Sequence, residues 1–183
     1  MKLRIISGKY KGRIIKGFNI EGTRPTMERV KESLFAMIQN NLKDAIVLDL
    51  FAGSGNLGIE SLSNGARKAI FVDKNNICAK TIQENIKNLK IEEETLILNK
   101  DYKLALKDLI NKQIKVDVVF LDPPYHENLL NESLDKLIKS KVLNEDALIV
   151  VEYEKESPIC SLNLLMERRY GDKNIKIYEY KNL

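Results

Sequence analysis

The 183-residue sequence predicts an α/β fold built on a mostly parallel, doubly wound sheet. Two patterns carry the prediction. Continuous β-rich, largely apolar runs recur at 45–51 (AIVLDLF), 69–72, 95–98, 116–121 (VDVVFL) and 147–151 (ALIVV). Continuous rather than alternating runs belong to strands covered on both faces. Stretches with apolar residues at helical spacing lie between them, and strands separated by helices of this length require parallel βαβ crossovers.

In chain order, residues 3–15 hold two β-prone stretches separated by Gly8 and Gly12, which predicts a small hairpin rich in Lys and Arg. Thr23-Arg24-Pro25-Thr26 then leads into a helix with Val30, Leu34, Phe35 and Ile38 on one face. Thr26 is its expected N-cap, but with Arg29 three residues on no capping box forms. The strand at 45–51 runs into a helix at 57–64 that Gly65 ends, then into the strand at 69–72. Ile77, Thr81, Ile82, Ile86 and Leu89 mark a helix over 76–89, and Leu104, Leu106 and Leu109 mark another after the 95–98 strand. A further helix is expected at 128–140. Residues 165–170 and 175–180 flank Gly171-Asp172-Lys173-Asn174, so an antiparallel pair closes the sheet.

Length and a hydrophobic content of 44% suit one domain with a full core. Residues 1–183 are expected to form that domain, with 1–22 a basic hairpin extension, 23–44 a helix leading into the core and 45–183 a Rossmann-like core. No run of about 18 apolar residues is present, and the first residues lack a signal-peptide pattern, so a cytoplasmic protein without membrane association is expected. Cys78 and Cys160 are widely spaced and there is one histidine; reduced thiols and no metal site are expected. Net charge is +4, yet residues 1–31 carry nine basic side chains against Glu21 and Glu28, a net +7 over a remainder of −3. Basic charge gathered at one end suits a polyphosphate backbone.

Candidate site residues cluster after the strands. Asp49-Leu50-Phe51-Ala52-Gly53-Ser54-Gly55-Asn56-Leu57-Gly58 joins the first core strand to its helix, where glycines permit close ligand approach and the helix start offers free N–H groups. Gly53, Gly55 and Gly58 also satisfy the dinucleotide fingerprint G-x-G-x-x-G. Asp73, 20 residues after Gly53, suits a ribose in either ligand class, and Asp101 occupies the same rim, suited to an adenine amine. Lys74, Tyr102 and Phe51 stand beside these acids. Asp49 is costly inside a sheet unless it faces a ligand; a carboxylate there suits a methionine ammonium better than a pyrophosphate.

Asp122-Pro123-Pro124-Tyr125 follows the 116–121 strand. Two prolines stiffen the turn and fix the acceptor directions of Asp122 and the Pro123 carbonyl. Acceptors for both hydrogens of an exocyclic base amine would release its delocalised lone pair for attack on a sulfonium methyl. Tyr125 offers a face for base stacking, worth about 1–3 kcal/mol. His126 is expected to stand at the rim without a part in the chemistry.

These two motifs resemble the cofactor loop and D/N-P-P-Y/F/W signature of amino-methyltransferases. The segments 4–8 and 11–13 and the run Thr23-Arg24-Pro25-Thr26-Met27-Glu28-Arg29-Val30-Lys31-Glu32 are similar to the RsmD family, the 16S ribosomal RNA guanine-N2 methyltransferases. The resemblance covers nearly the whole chain. It implies a class I methyltransferase fold with a seven-stranded sheet, and methyl transfer from S-adenosylmethionine, without a metal, to a guanine N2 in 16S rRNA of an assembled or partly assembled 30S subunit, with S-adenosylhomocysteine as product and no obligate protein partner. Asp49, Phe51, Gly53, Ser54, Gly55, Asn56, Asp73, Lys74, Asp101 and Tyr102 would line the cofactor, and Asp122, Pro123, Pro124 and Tyr125 the target base. Arg4, Lys9, Lys11, Arg13, Arg24, Thr26 and Arg29 would meet RNA. Asp73 stands where many relatives have Glu. Other readings are a DNA adenine-N6 methyltransferase, disfavoured by the lack of an inserted recognition domain, a small-molecule or protein-glutamine methyltransferase, an NAD-dependent oxidoreductase, and a non-catalytic RNA-binding assembly factor.

Overall fold

The computed structural model describes residues 1–18, 24–124, 128–155 and 157–181, with the side chains of residues 24–26 outside the description. The chain opens with β1 (Lys2–Arg4) and β2 (Ile14–Lys16), an antiparallel ribbon, and continues into helix α1 (Arg24–Ile38). The core follows as β3 (Ile46–Asp49), α2 (Asn56–Ser63), β4 (Lys68–Val72), α3 (Asn76–Leu89), β5 (Thr95–Leu98), α4 (Tyr102–Asn111), β6 (Val116–Leu121), α5 (Leu129–Lys139) and β7 (Leu143–Tyr153). β8 (Asn163–Tyr170) and β9 (Lys173–Glu179) close it. Seven strands form one sheet in the order β5-β4-β3-β6-β7-β9-β8, parallel as far as β7, with β9 antiparallel to both of its neighbours.

Alternate residues of each strand feed different cores, as the twofold period of a strand requires. Val47, Phe71, Phe120 and Val150 pack under α1, α2, α3 and the hairpin. Leu48, Ile70, Val119 and Ile149 pack under α4 and α5. Among the described residues no helix is long and apolar enough to cross a membrane, and Cys78 and Cys160 are free thiols.

Several boundaries differ from the sequence expectation, β8 and β9 each starting two residues early, and two of the differences show their physical cause. Helix α1 starts at Arg24, so Thr26 lies inside its first turn rather than capping it; Pro25 is tolerated there because first-turn N–H groups have no helical partner. β7 starts four residues before the apolar run. Its polar head is held by side chains instead: the Asn144 amide donates to Asp117 Oδ1 at 2.7 Å, and Asp117 Oδ2 accepts the Ile46 N–H at 2.8 Å.

The hairpin is fastened by a buried ion pair. Glu60, fully buried on α2, accepts N–H groups from Ile6 and Ser7 at 3.0–3.1 Å, and its Oε2 lies 2.8 Å from the Lys31 ammonium of α1. Lys31 also donates to the Arg4 carbonyl at 2.7 Å and to Asn56 Oδ1 at 2.8 Å. Burial pulls the Lys31 pKa below its usual value against the attraction of Glu60. Lys31 therefore does not belong to the exposed basic charge of the leading segment. Breaking one partner of such a pair leaves an uncompensated buried charge. Glu60→Ala should destabilise the fold by about 3–5 kcal/mol and strip exchange protection from the Ile6 and Ser7 amides; urea denaturation and hydrogen exchange measure both, and a loss below about 1 kcal/mol would show that Glu60 does not hold the extension.

Candidate active site

The sheet changes winding direction between β3 and β6, since the chain reaches β4 and β5 on one side and β6 and β7 on the other. A crevice opens beyond the carboxyl ends of the strands at such a switch point. Asp49 ends β3 and Asp122 immediately follows β6, so the two carboxylates flank it.

The glycine turn is held from below by acids and by backbone. Gly53 has φ 55° and open space where a Cβ would stand, so the turn needs a left-handed residue and leaves room for an approaching ligand. At Gly58 an added Cβ would fall 2.3 Å from the Phe71 ring, so this glycine serves the packing of α2 on β4. Asp73 accepts the Gly53 N–H through Oδ2 and the Asn75 N–H through Oδ1, each at 2.9 Å. Asp49 Oδ2 accepts the Gly58 N–H at 3.1 Å. Burial pushes the Asp49 carboxyl up from 3.8 to about 7, the Gly58 hydrogen bond opposing and the nearby Asp73 charge assisting. Ser54 is buried beside the turn, and Asn56 turns its side-chain oxygen to Lys31.

Farther along the rim, Asp101 caps α4 by accepting the Lys103 N–H at 2.9 Å. Phe51 and Tyr102 stack at a tilt with ring centroids 5.5 Å apart. The Tyr102 hydroxyl is buried without a hydrogen-bond partner of normal geometry, near Glu132. Lys74 points into solvent. Cys78, in the first turn of α3, has its thiol pushed up to about 11 by burial and by Asp73, which keeps it protonated.

On the other flank Asp122 is half-buried, Pro123 buried and Pro124 exposed, while Tyr125 and His126 lie outside the described residues. Burial raises the Asp122 carboxyl well above the usual carboxylate range, and Glu152 raises it further. Among the described residues no group of three or more His, Cys, Asp or Glu side chains is set to hold a metal ion.

The described basic residues at the hairpin tip stand away from the crevice. Arg4, Lys9, Lys11, Arg13 and Arg29 are exposed. The Arg4 carbonyl sits near the start of α2, but Lys9 bonds to the Ser63 carbonyl at the helix end, so the hairpin tip stands roughly 12 Å along α2 from the glycine turn. The Arg13 guanidinium donates to the Asn88 carbonyl of α3. Arg24 and Thr26 belong to the first turn of α1, and their side chains fall outside the description. The sequence reading missed Glu60 and Glu152 altogether. Glu60 breaks an otherwise apolar stretch of α2, and Glu152 follows the apolar run of β7; both positions were visible as acids at core register. A cavity of about 580 Å³, lined by Lys115, Lys141, Leu143, Leu162, Tyr180 and Lys181 among others, lies at the opposite end of the sheet, by the starts of β6, β7 and β8 and the end of the antiparallel β9.

A family model described as conserved hypothetical protein 95 matches residues 3–179. The chain is 38% identical to ribosomal RNA small subunit methyltransferase D of Haemophilus influenzae, over 97% of this chain and 94% of that one. The Escherichia coli protein of that name is 32% identical, with 97% and 90% covered. A solved E. coli structure, yhhF, provisionally assigned as a methyltransferase, superposes with a TM-score of 0.85 at 29% identity and covers 99% of both chains. An RNA methyltransferase from Salinibacter ruber in complex with S-adenosyl-L-homocysteine shares the fold, with a TM-score of 0.68 at 12% identity over 90% of this chain and 95% of that one. The rim acids, the glycine turn and the seven-stranded order thus stand in a methyltransferase fold, and the chain belongs to the RsmD family of methyltransferases.

Proposed function

We propose that the protein transfers a methyl group from S-adenosylmethionine to the exocyclic N2 amine of a guanine in 16S rRNA, within an assembled or partly assembled small subunit. The observation that carries this reading is the pair of loops at one switch point: the glycine turn after β3 and Asp122-Pro123-Pro124 after β6. The names of the relatives supply the rRNA class.

The residues around the turn fit the cofactor. The open side of Gly53 admits a ligand to the backbone, Asp49 offers a carboxylate for the methionine ammonium, and Asp73 keeps lone pairs for ribose hydroxyls. Phe51 and Tyr102, stacked beside the rim, and Asp101 suit the adenine. When bound, the cofactor supplies an electrophilic methyl on sulfur, which the amine lone pair takes while the C–S electrons stay with sulfur. The chain's own part is orientation. Asp122 and the Pro123 carbonyl accept the amine hydrogens, which draws the nitrogen toward a tetrahedral arrangement, and Tyr125 stacks on the base. Residues 45–183 are the catalytic core in this reading; the extension at 1–22, with Arg24, Thr26 and Arg29 after it, grips RNA over a footprint longer than the pocket.

Incubation with 16S rRNA or 30S particles and labelled cofactor, followed by nucleoside mass spectrometry, should yield N2-methylguanosine; label on another base would refute the proposed specificity. Asp122→Ala should lower transfer by about 10²–10³-fold with little change in S-adenosylhomocysteine affinity; near-normal turnover would remove Asp122 from the chemistry. Affinity for S-adenosylhomocysteine should also follow the Asp49 proton. A bound ammonium favours the ionised carboxylate, so binding strengthens as pH rises through about 7 and weakens as it falls. Calorimetry should find that slope flattened in Asp49→Asn; an unaltered slope would detach Asp49 from the cofactor. Charge reversal at Lys9, Lys11 and Arg13 should reduce the salt slope of RNA binding by about 0.7–0.9 per lost phosphate contact; an unchanged slope would mean that the hairpin tip does not touch RNA.

A further inference from the structure

Asp122 does not stand alone on its face of the sheet. β6 and β7 run parallel with Phe120 beside Val150 and Leu121 beside Val151, so the next step of the register sets Asp122 beside Glu152. Both carboxylates share the face of Phe120 and Val150, beneath α1 and α2. Together with Leu34, Leu57 and Ile175 they line a cleft of about 10 Å³, scarcely room for one water. Two carboxylates on neighbouring strands in so dry a cleft repel strongly.

Among the described residues one cation answers them, Lys173. Glu152 pairs with Ile175 across β7 and β9, and Lys173, two residues earlier on the same face of β9, forms an ion pair with Glu152 Oε1. Both side chains are largely covered, 16% exposed for Glu152 and 29% for Lys173. Asp49 of β3 and Glu154, just past β7, add further negative charge around Asp122, while α1 and α2 bring only the apolar Leu34 and Leu57 to the described cleft. Lys31, the nearby cation of α1, is taken up by Glu60, Asn56 and the Arg4 carbonyl.

We infer that Glu152, fixed by Lys173, is a positioning residue for the transfer: its charge, one strand over, makes Asp122 the group that takes up the proton the amine gives off. The inference rests on the function proposed above. After the new N–C bond forms, the nitrogen holds one proton more than the neutral product. The Asp122 carboxylate accepts that proton as a carboxylic acid and afterwards yields it to solvent. A lone exposed aspartate, ordinarily titrating near 3.9, is a weak base for this purpose. A neighbouring carboxylate strengthens it, and Lys173 keeps the pair from holding a proton permanently. The direction of the Asp122 shift agrees, with burial first and Glu152 next among the causes that raise it, and Lys173 opposing.

The test has two readouts. Carbon-13 NMR of the Asp122 carboxyl should show its midpoint falling by about one pH unit or more in Glu152→Gln. In Lys173→Gln the Asp122–Glu152 pair should take up its first proton at higher pH. Single-turnover transfer needs ionised Asp122, so its acid limb should move the same way: to lower pH in Glu152→Gln and to higher pH in Lys173→Gln. Midpoints that stay put in both variants overturn the inference, as do midpoints that move while the rate profile does not. A wild-type protein that titrates as described but transfers no methyl group to RNA overturns the methyltransferase reading instead.

Discussion

Carboxylates drawn out of water at the ends of covered parallel strands and on the helix beside them are costly to bury, and the polar architecture of the rim is organised around them. A carboxylate deprived of water must find donors, find a cation or keep its proton. Asp73 finds two backbone N–H groups and in doing so fixes the glycine turn. Glu60 finds the Lys31 ammonium and the backbone of the leading segment, and so ties the hairpin to the helix that starts at that turn. Asp49 has one donor, Gly58, and its carboxyl rises to about 7. Asp122 has Glu152 beside it and Lys173 beyond, and its carboxyl rises as well. Asp49 and Asp122, whose carboxyls both rise, flank the switch point, where on the proposed function a cationic ligand and an amine-bearing base would complete them.

The leading segment and the core are thereby joined by polar contacts that converge on one helix. Lys31 of α1 reaches the Arg4 carbonyl, Glu60 and Asn56 at once. Asn85 of α3 donates both to the Lys16 carbonyl and to the Ser54 carbonyl, linking the second hairpin strand to the turn. The described part of the extension is thus docked along α2, with its basic tip at the far end of that helix. An RNA that touches both the tip and Asp122 must span that helix.

Much of the fold was legible because the parallel core strands are dominated by continuous apolar runs, which fix strand, burial and parallel pairing together. The strands 95–98 and 116–121 match to the residue. Where the chain uses side-chain hydrogen bonds in place of apolar packing, sequence reading fell short. The head of β7 is polar and is held by Asn144 and Asp117, so the strand looked shorter than it is. The candidate site was legible in its loops, since glycines and prolines advertise backbone needs that are local. Its electrostatics were not. Lys31 counted as surface charge until tertiary structure put Glu60 against it, and Glu152 meant nothing until strand register set it next to Asp122. Both facts are long-range, and neither residue's neighbours in sequence disclose them.

The most direct test of the shared crevice is a crystal structure with S-adenosylhomocysteine bound. Its methionyl end should rest against Asp49 and the Gly53 turn, with the sulfur facing the Asp122 carboxylate. A ligand seated in the cavity near Lys115 and Lys181, or one whose sulfur faces away from Asp122, would contradict it.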